Sequence, residues 1–132
     1  MGIFHRSDKT FPKMEPYGRC EFEISGESFK TDNLRKLFEK YKVSPGDYHT
    51  LDAILEADPS NEYDKNAVEV FVDNLSVGYI PKEKAKKVSA LLLNETKNGK
   101  AGVWALIKFA EDDIRFSTVR LDMNWPPKLW TE

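Results

Sequence analysis

The sequence predicts a small α+β domain, with about six mostly antiparallel strands and two helices arranged as a sandwich or small β-barrel. Three observations carry this. Apolar residues alternate with polar ones in several short segments, two other segments place them at helical spacing, and Gly, Pro, Asn and Asp clusters punctuate the joins.

From Arg19 to Ser25, Cys20, Phe22 and Ile24 share one face and Glu21 and Glu23 the other, which reads as a half-buried strand ended by Gly26. Leu34, Leu37, Phe38 and Tyr41 fall at helical spacing over 33–41, with Thr31 or Asp32 as the cap. Ser44-Pro45-Gly46-Asp47 is a turn. Tyr48 to Ala57, Ala67 to Val72 and Leu75 to Ile80 read as strands, and Asp73-Asn74 joins the last two. Pro81 suits the first position of a helix that carries Ala85, Val88, Leu91 and Leu92 and ends near Thr96. Gly99 serves the exit turn. Ala101 to Ala110 and Ile114 to Met123 form a hairpin around Glu111-Asp112-Asp113. The expected organisation is a flexible arm over 1–18, one domain over 19–123, and a tail over 124–132 that holds Trp125 and Trp130.

Composition excludes several classes of function. The 132 residues carry 20 basic and 22 acidic side chains, so the chain as a whole exerts no pull on a polyanion and any such site must be local. The single cysteine, Cys20, allows no intrachain disulfide and no thiolate cluster, and it reads as a core residue. Residues 1–13 hold no apolar run of signal-peptide length, and the run Ala90 to Leu93 is too short for a membrane span. A cytoplasmic protein is expected, with no membrane partner.

The two histidines, His5 and His49, have no ligand at metal-site spacing. No nucleophile elbow, phosphate-binding loop or dinucleotide fingerprint is present. Asp58, Glu62 and Asp64, with Asp52, Glu56 and Lys65 nearby, are the only group that suggests a metal-dependent nuclease. They read more simply as turn-forming, solvated carboxylates. No cofactor is expected, and the chain is expected to be a binding module and not an enzyme.

The most distinctive stretch is Asp58-Pro59-Ser60-Asn61-Glu62-Tyr63-Asp64-Lys65-Asn66-Ala67-Val68-Glu69-Val70. With Gly26-Glu27-Ser28-Phe29 before it and Val77-Gly78-Tyr79-Ile80-Pro81 after it, this stretch resembles the HIRAN domain. The resemblance covers about Glu21 to Leu93, and more loosely the last two strands. The order of the motifs, followed by a lysine- and alanine-rich helix, makes it specific. The family includes stand-alone bacterial proteins and the N-terminal module of the helicase-like transcription factor. It implies a small barrel of OB-like character that grips the 3′ end of single-stranded DNA. An aromatic residue of the long loop then packs on the terminal base, and the aspartate after it bonds the 3′-hydroxyl. By resemblance those roles fall on Tyr63 and Asp64.

The helicase-like member carries an arginine and two tyrosines where this chain has Ser28, Phe29 and Lys30, and a histidine where this chain has Tyr79. Lys82 and Lys84 can supply phosphate contacts, with Lys86 and Lys87 beyond them. The expected nucleic-acid-binding set is therefore Phe29, Lys30, Asn61, Tyr63, Asp64, Lys65, Tyr79, Lys82 and Lys84. Asn61, Asp64 and Asn66 can each fold a side chain onto nearby amides, and Gly78 can give a close approach or a bulge; all of this is compatible with pure scaffolding. The expected partner is single-stranded DNA or its 3′ end, in a repair setting with a helicase or nuclease protein. The alternatives are a protein-interaction module anchored by Trp125 and Trp130, and a nuclease.

Overall fold

The computed structural model describes residues 12–131. Alternation sets the two longest strands. β1 (Phe22–Glu23) is followed by α1 (Thr31–Lys40), β2 (Tyr48–Ala57), β3 (Val68–Val72), β4 (Leu75–Tyr79), α2 (Lys82–Glu95), β5 (Lys100–Lys108) and β6 (Thr118–Asp122). In β2 and β5, Ala53, Leu55, Ala57, Ala101, Val103, Ala105 and Ile107 face inward and are buried. The two strands pair antiparallel over nine residues, from Tyr48 opposite Lys108 to Glu56 opposite Lys100.

The strands form one sheet in the order β1-β6-β5-β2-β3-β4, with every neighbouring pair antiparallel. The sheet curls, and α1 and α2 close over its inner face. From α1, Leu34, Leu37 and Phe38 enter the core, where the Phe38 ring stacks on Phe109 at 4.3 Å between centroids. From α2, Ala85, Val88 and Leu92 do the same. Twist accumulated over six strands brings the sheet edges near one another. They meet at one residue pair: Ser25 and Tyr79 exchange both backbone N–H···O bonds, each 2.8 Å.

Several sequence expectations shift in detail. The first strand pairs only over Phe22–Glu23, because the chain peels away from β6 after Ile24 and crosses to β4 at Ser25. Neither Thr31 nor Asp32 caps α1. A short helical turn over Glu27–Phe29 feeds straight into it, so Lys30 takes the cap position with its N–H on the Glu27 carbonyl. Pro81 is the cap of α2, one place before the expected position; its carbonyl accepts from the N–H groups of Lys84 and Ala85. Ile114–Phe116 is a separate helical turn, which leaves β6 to begin at Thr118. Cys20 is half-buried and stands outside the core, and burial, followed by the Asp122 carboxylate, pushes its thiol pKa up. His5 and residues 1–11 of the expected arm lie outside the described residues.

The flanks of the expected domain pair with each other. The Glu15 N–H donates to the Lys128 carbonyl (2.8 Å), and the Trp130 N–H donates to the Lys13 carbonyl (2.9 Å). Trp130 meets Trp104 edge-on at 6.1 Å, and Trp125 leans on Phe22 at 5.9 Å. No helix among the described residues is long and apolar enough to cross a membrane.

Gly78 sits where the register of β3 against β4 slips, so it marks a bulge. It has φ +150°, and a Cβ there would stand 2.5 Å from the Ser25 carbonyl oxygen and 2.9 Å from Ile24 Cδ1. Gly78→Ala should destabilise the protein by roughly 2–4 kcal/mol in urea titrations, since strain and overpacking add. A loss under about 0.5 kcal/mol, the range of an ordinary surface change, would refute the close approach.

Candidate nucleic-acid interface

The loop between β2 and β3 is held almost wholly by its own polar groups. The Asp58 N–H donates to the Ala67 carbonyl at 2.9 Å and closes the base. Asn61 organises the tip: its Oδ1 accepts from the N–H groups of Tyr63 (2.9 Å) and Asp64 (3.0 Å), and its Nδ2 donates to Asp58 Oδ2 (3.2 Å). Asp64 Oδ1 accepts from the Asn66 N–H at 2.9 Å, and the Asp64 carbonyl accepts from the Ala67 N–H at 2.9 Å. These are Asx-type turns, which the Asn and Asp side chains are the right length to make. Asn66 joins through its backbone N–H; no side-chain bond of Asn66 accompanies it among the described residues.

This framework leaves two groups presented. The Tyr63 side chain is 89% exposed although its backbone is fixed. Asp64 is half-buried, and its Oδ2 accepts no bond from the described residues. Both line a groove of about 400 Å³, together with Asn61, Tyr79 and Lys82. Ala67, Ile80 and Ala85 supply its apolar lining.

Tyr79 is fixed from behind. Burial first, then the charge of Glu69 and a hydrogen bond to it, raise the Tyr79 phenol above its ordinary value. Lys30 stands 3.9 Å from Glu69 Oε2 and 5.6 Å from the Tyr79 ring centre. Lys30 therefore steadies Tyr79 without lining the groove.

The remaining expected residues lie elsewhere. Phe29, 87% exposed, lines a neighbouring groove of about 640 Å³ with Glu27, Ser28, Arg115 and Phe116. Lys84 lines a third groove of about 470 Å³, with its ammonium 4.9 Å from the Phe22 ring centre and 5.2 Å from that of Trp125. Lys65 is exposed and is not a lining residue of the Tyr63 groove. His49 stacks on Tyr41 at 5.1 Å. Among the described residues, no three His, Cys, Asp or Glu side chains are grouped to hold a metal ion.

Sequence reasoning missed Ser25, Arg115 and Phe116. The sequence places Phe116 in a strand, but Asp113 caps a turn that throws it outward, 72% exposed. Asp113 grips Arg115 at both oxygens, at 2.6 Å to Nη2 and 3.0 Å to Nε from Oδ2, and also accepts the Arg115 N–H at 2.8 Å. The side-chain bonds first, then the backbone bond, hold the Asp113 carboxyl down to about 2. The only cue in the sequence is an Asp two places before an Arg.

A curled sheet with an exposed ring and a carboxylate beside lysine on one groove is consistent with a binding module. The chain belongs to the HIRAN domain family, whose model matches residues 17–123, and members of this family are nucleic-acid-binding modules. No curated protein and no solved structure matches the chain at a significant level.

Two outcomes follow from the geometry. Asn61→Ala should lower stability by about 1–2 kcal/mol, the value of a cap-like side chain with two backbone donors, and should raise amide exchange at Tyr63 and Asp64; unchanged exchange there would contradict the locking role. Because the folded pKa of Asp113 is depressed, its stabilising contribution is present above the ordinary carboxylate value and is lost as pH falls through about 2. Carboxyl NMR should show Asp113 titrating near that value and returning toward the ordinary range in Arg115→Ala.

Proposed function

We propose that the Tyr63 groove receives the 3′-terminal nucleotide of single-stranded DNA. The observation that carries this reading is a ring almost fully in solvent on a backbone held rigid by Asn61. The backbone that carries the ring is already ordered before a ligand arrives, so less freedom is lost on binding. A base stacked on Tyr63 gains about 1–3 kcal/mol. Asp64 Oδ2 accepts the hydrogen of the terminal hydroxyl and repels a terminal phosphate. Lys82, on the far side of the groove, meets the phosphate one step back.

The upstream nucleotide continues past Ser25 and Gly26 to the neighbouring groove, where Phe29 and Phe116 offer two more exposed ring faces. Arg115, pinned by Asp113, presents its remaining donors there. On this reading Phe29 serves the second base, and Lys30 acts by steadying Tyr79. The module is a receptor for an end. Unwinding or cleavage in a repair setting belongs to a partner protein.

Anisotropy titrations of short thymidine strands that end in a 3′-hydroxyl or a 3′-phosphate test this. The hydroxyl end should bind at least tenfold more tightly. Tyr63→Ala should weaken binding by about 1–3 kcal/mol. Asp64→Ala should bring the two ends to equal affinity. Equal affinity for both ends in the unaltered protein would refute end recognition.

A further inference from the structure

A strand whose last nucleotide fills the Tyr63 groove has one way out, because it ends there. The exposed rings of Phe29 and Phe116 mark that exit on the Gly26 side. α2 borders the other side, through Lys82 and Ala85. Its solvent face continues from Lys82 to Lys86, four residues on and therefore one turn further along the same face, with Lys87 beside it.

These three lysines are exposed, and none forms an ion pair among the described residues. Lys30, Lys40, Lys100 and Lys128, in contrast, each stand within 4 Å of a carboxylate. The segment Lys82–Lys87 holds four lysines and one glutamate, a focus of positive charge in a chain whose net charge is −2. Lys84 is committed to the Phe22 and Trp125 rings, which leaves Lys82, Lys86 and Lys87 to face outward.

We propose that Lys86 and Lys87, on this face of α2 beyond the Lys82 that serves the strand in the groove, form a second nucleic-acid contact, a track for phosphates of a strand other than the one that ends there. It rests on the reading that a strand end occupies that groove. Ammonium groups on flexible stems act as point charges and read no base, so the contact is blind to sequence. The preferred ligand is then a 3′ end beside an opposing strand, as at a frayed duplex terminus, and not an isolated single strand.

Anisotropy titrations across a salt series test this with two probes, each ending in a free 3′-hydroxyl: a short thymidine strand, and a duplex with two mismatched nucleotides at one 3′ end. The unaltered protein should bind the frayed duplex at least tenfold more tightly. Its salt slope should be steeper by about 2, since each neutralised duplex phosphate contributes roughly 0.9. Lys86→Gln with Lys87→Gln should remove that gain and leave the short strand within twofold. Equal affinity and slope for the two probes, or a double variant that weakens both equally or neither, would overturn the proposal. If Tyr63→Ala weakens short-strand binding while the lysine changes do nothing, the groove reading stands and this inference falls. If the unaltered protein binds neither probe, both fall together.

Discussion

The two hydrogen bonds between Ser25 and Tyr79 decide where every other feature of the candidate site stands. A twisted antiparallel sheet of this size has two free edges, and here they meet at a single residue pair. That meeting requires backbone to lie against backbone, which is why the position beside Tyr79 is Gly78. It also fixes the geometry on either side. Tyr79 and Ser25 border the groove, Gly26 turns the chain toward Phe29, and Pro81 starts α2 so that Lys82 faces the loop.

The second constraint is local. The loop from Asp58 to Asn66 has little apolar material to bury, so its order comes from side chains of Asp58, Asn61 and Asp64 bonded to its own amides and to one another. Such bonds are each worth about 1 kcal/mol net, and their combined effect is to fix one shape. The consequence is a division of labour within one residue: Asp64 spends Oδ1 on the turn, and its Oδ2 accepts no bond from the described residues. An exposed ring that has already lost its backbone freedom binds with less entropic loss than one on a floppy loop.

Much of this was legible in the sequence. Strict alternation marked β2 to the residue, and β3 and β4 to within one, because a buried face permits only one register. The turn chemistry of Asn61 and Asp64 followed from residue type alone. What was not legible depends on three dimensions. The early strand read as continuous, yet it splits its pairing between β6 and β4, and nothing in its alternation marks the crossing. Which groove Phe29 faces was not legible either: the turn over Glu27–Phe29 places it in the groove beside that of Tyr63. The ion pair of Lys30 with Glu69, distant in sequence, was likewise not legible. Phe116 sat inside an apparent strand whose first residues are drawn into a turn by Asp113.

The central claim is that one groove, between a self-locked loop and the start of α2, is where this HIRAN domain takes its ligand. Amide chemical-shift mapping on titration with a thymidine dinucleotide bearing a free 3′-hydroxyl tests it most directly. The account requires the largest shifts at Ser25, Tyr63, Asp64, Tyr79 and Lys82, with smaller ones at Phe29 and Phe116. Shifts confined to the opposite face of the sheet, around Trp104 and Trp130, would contradict it.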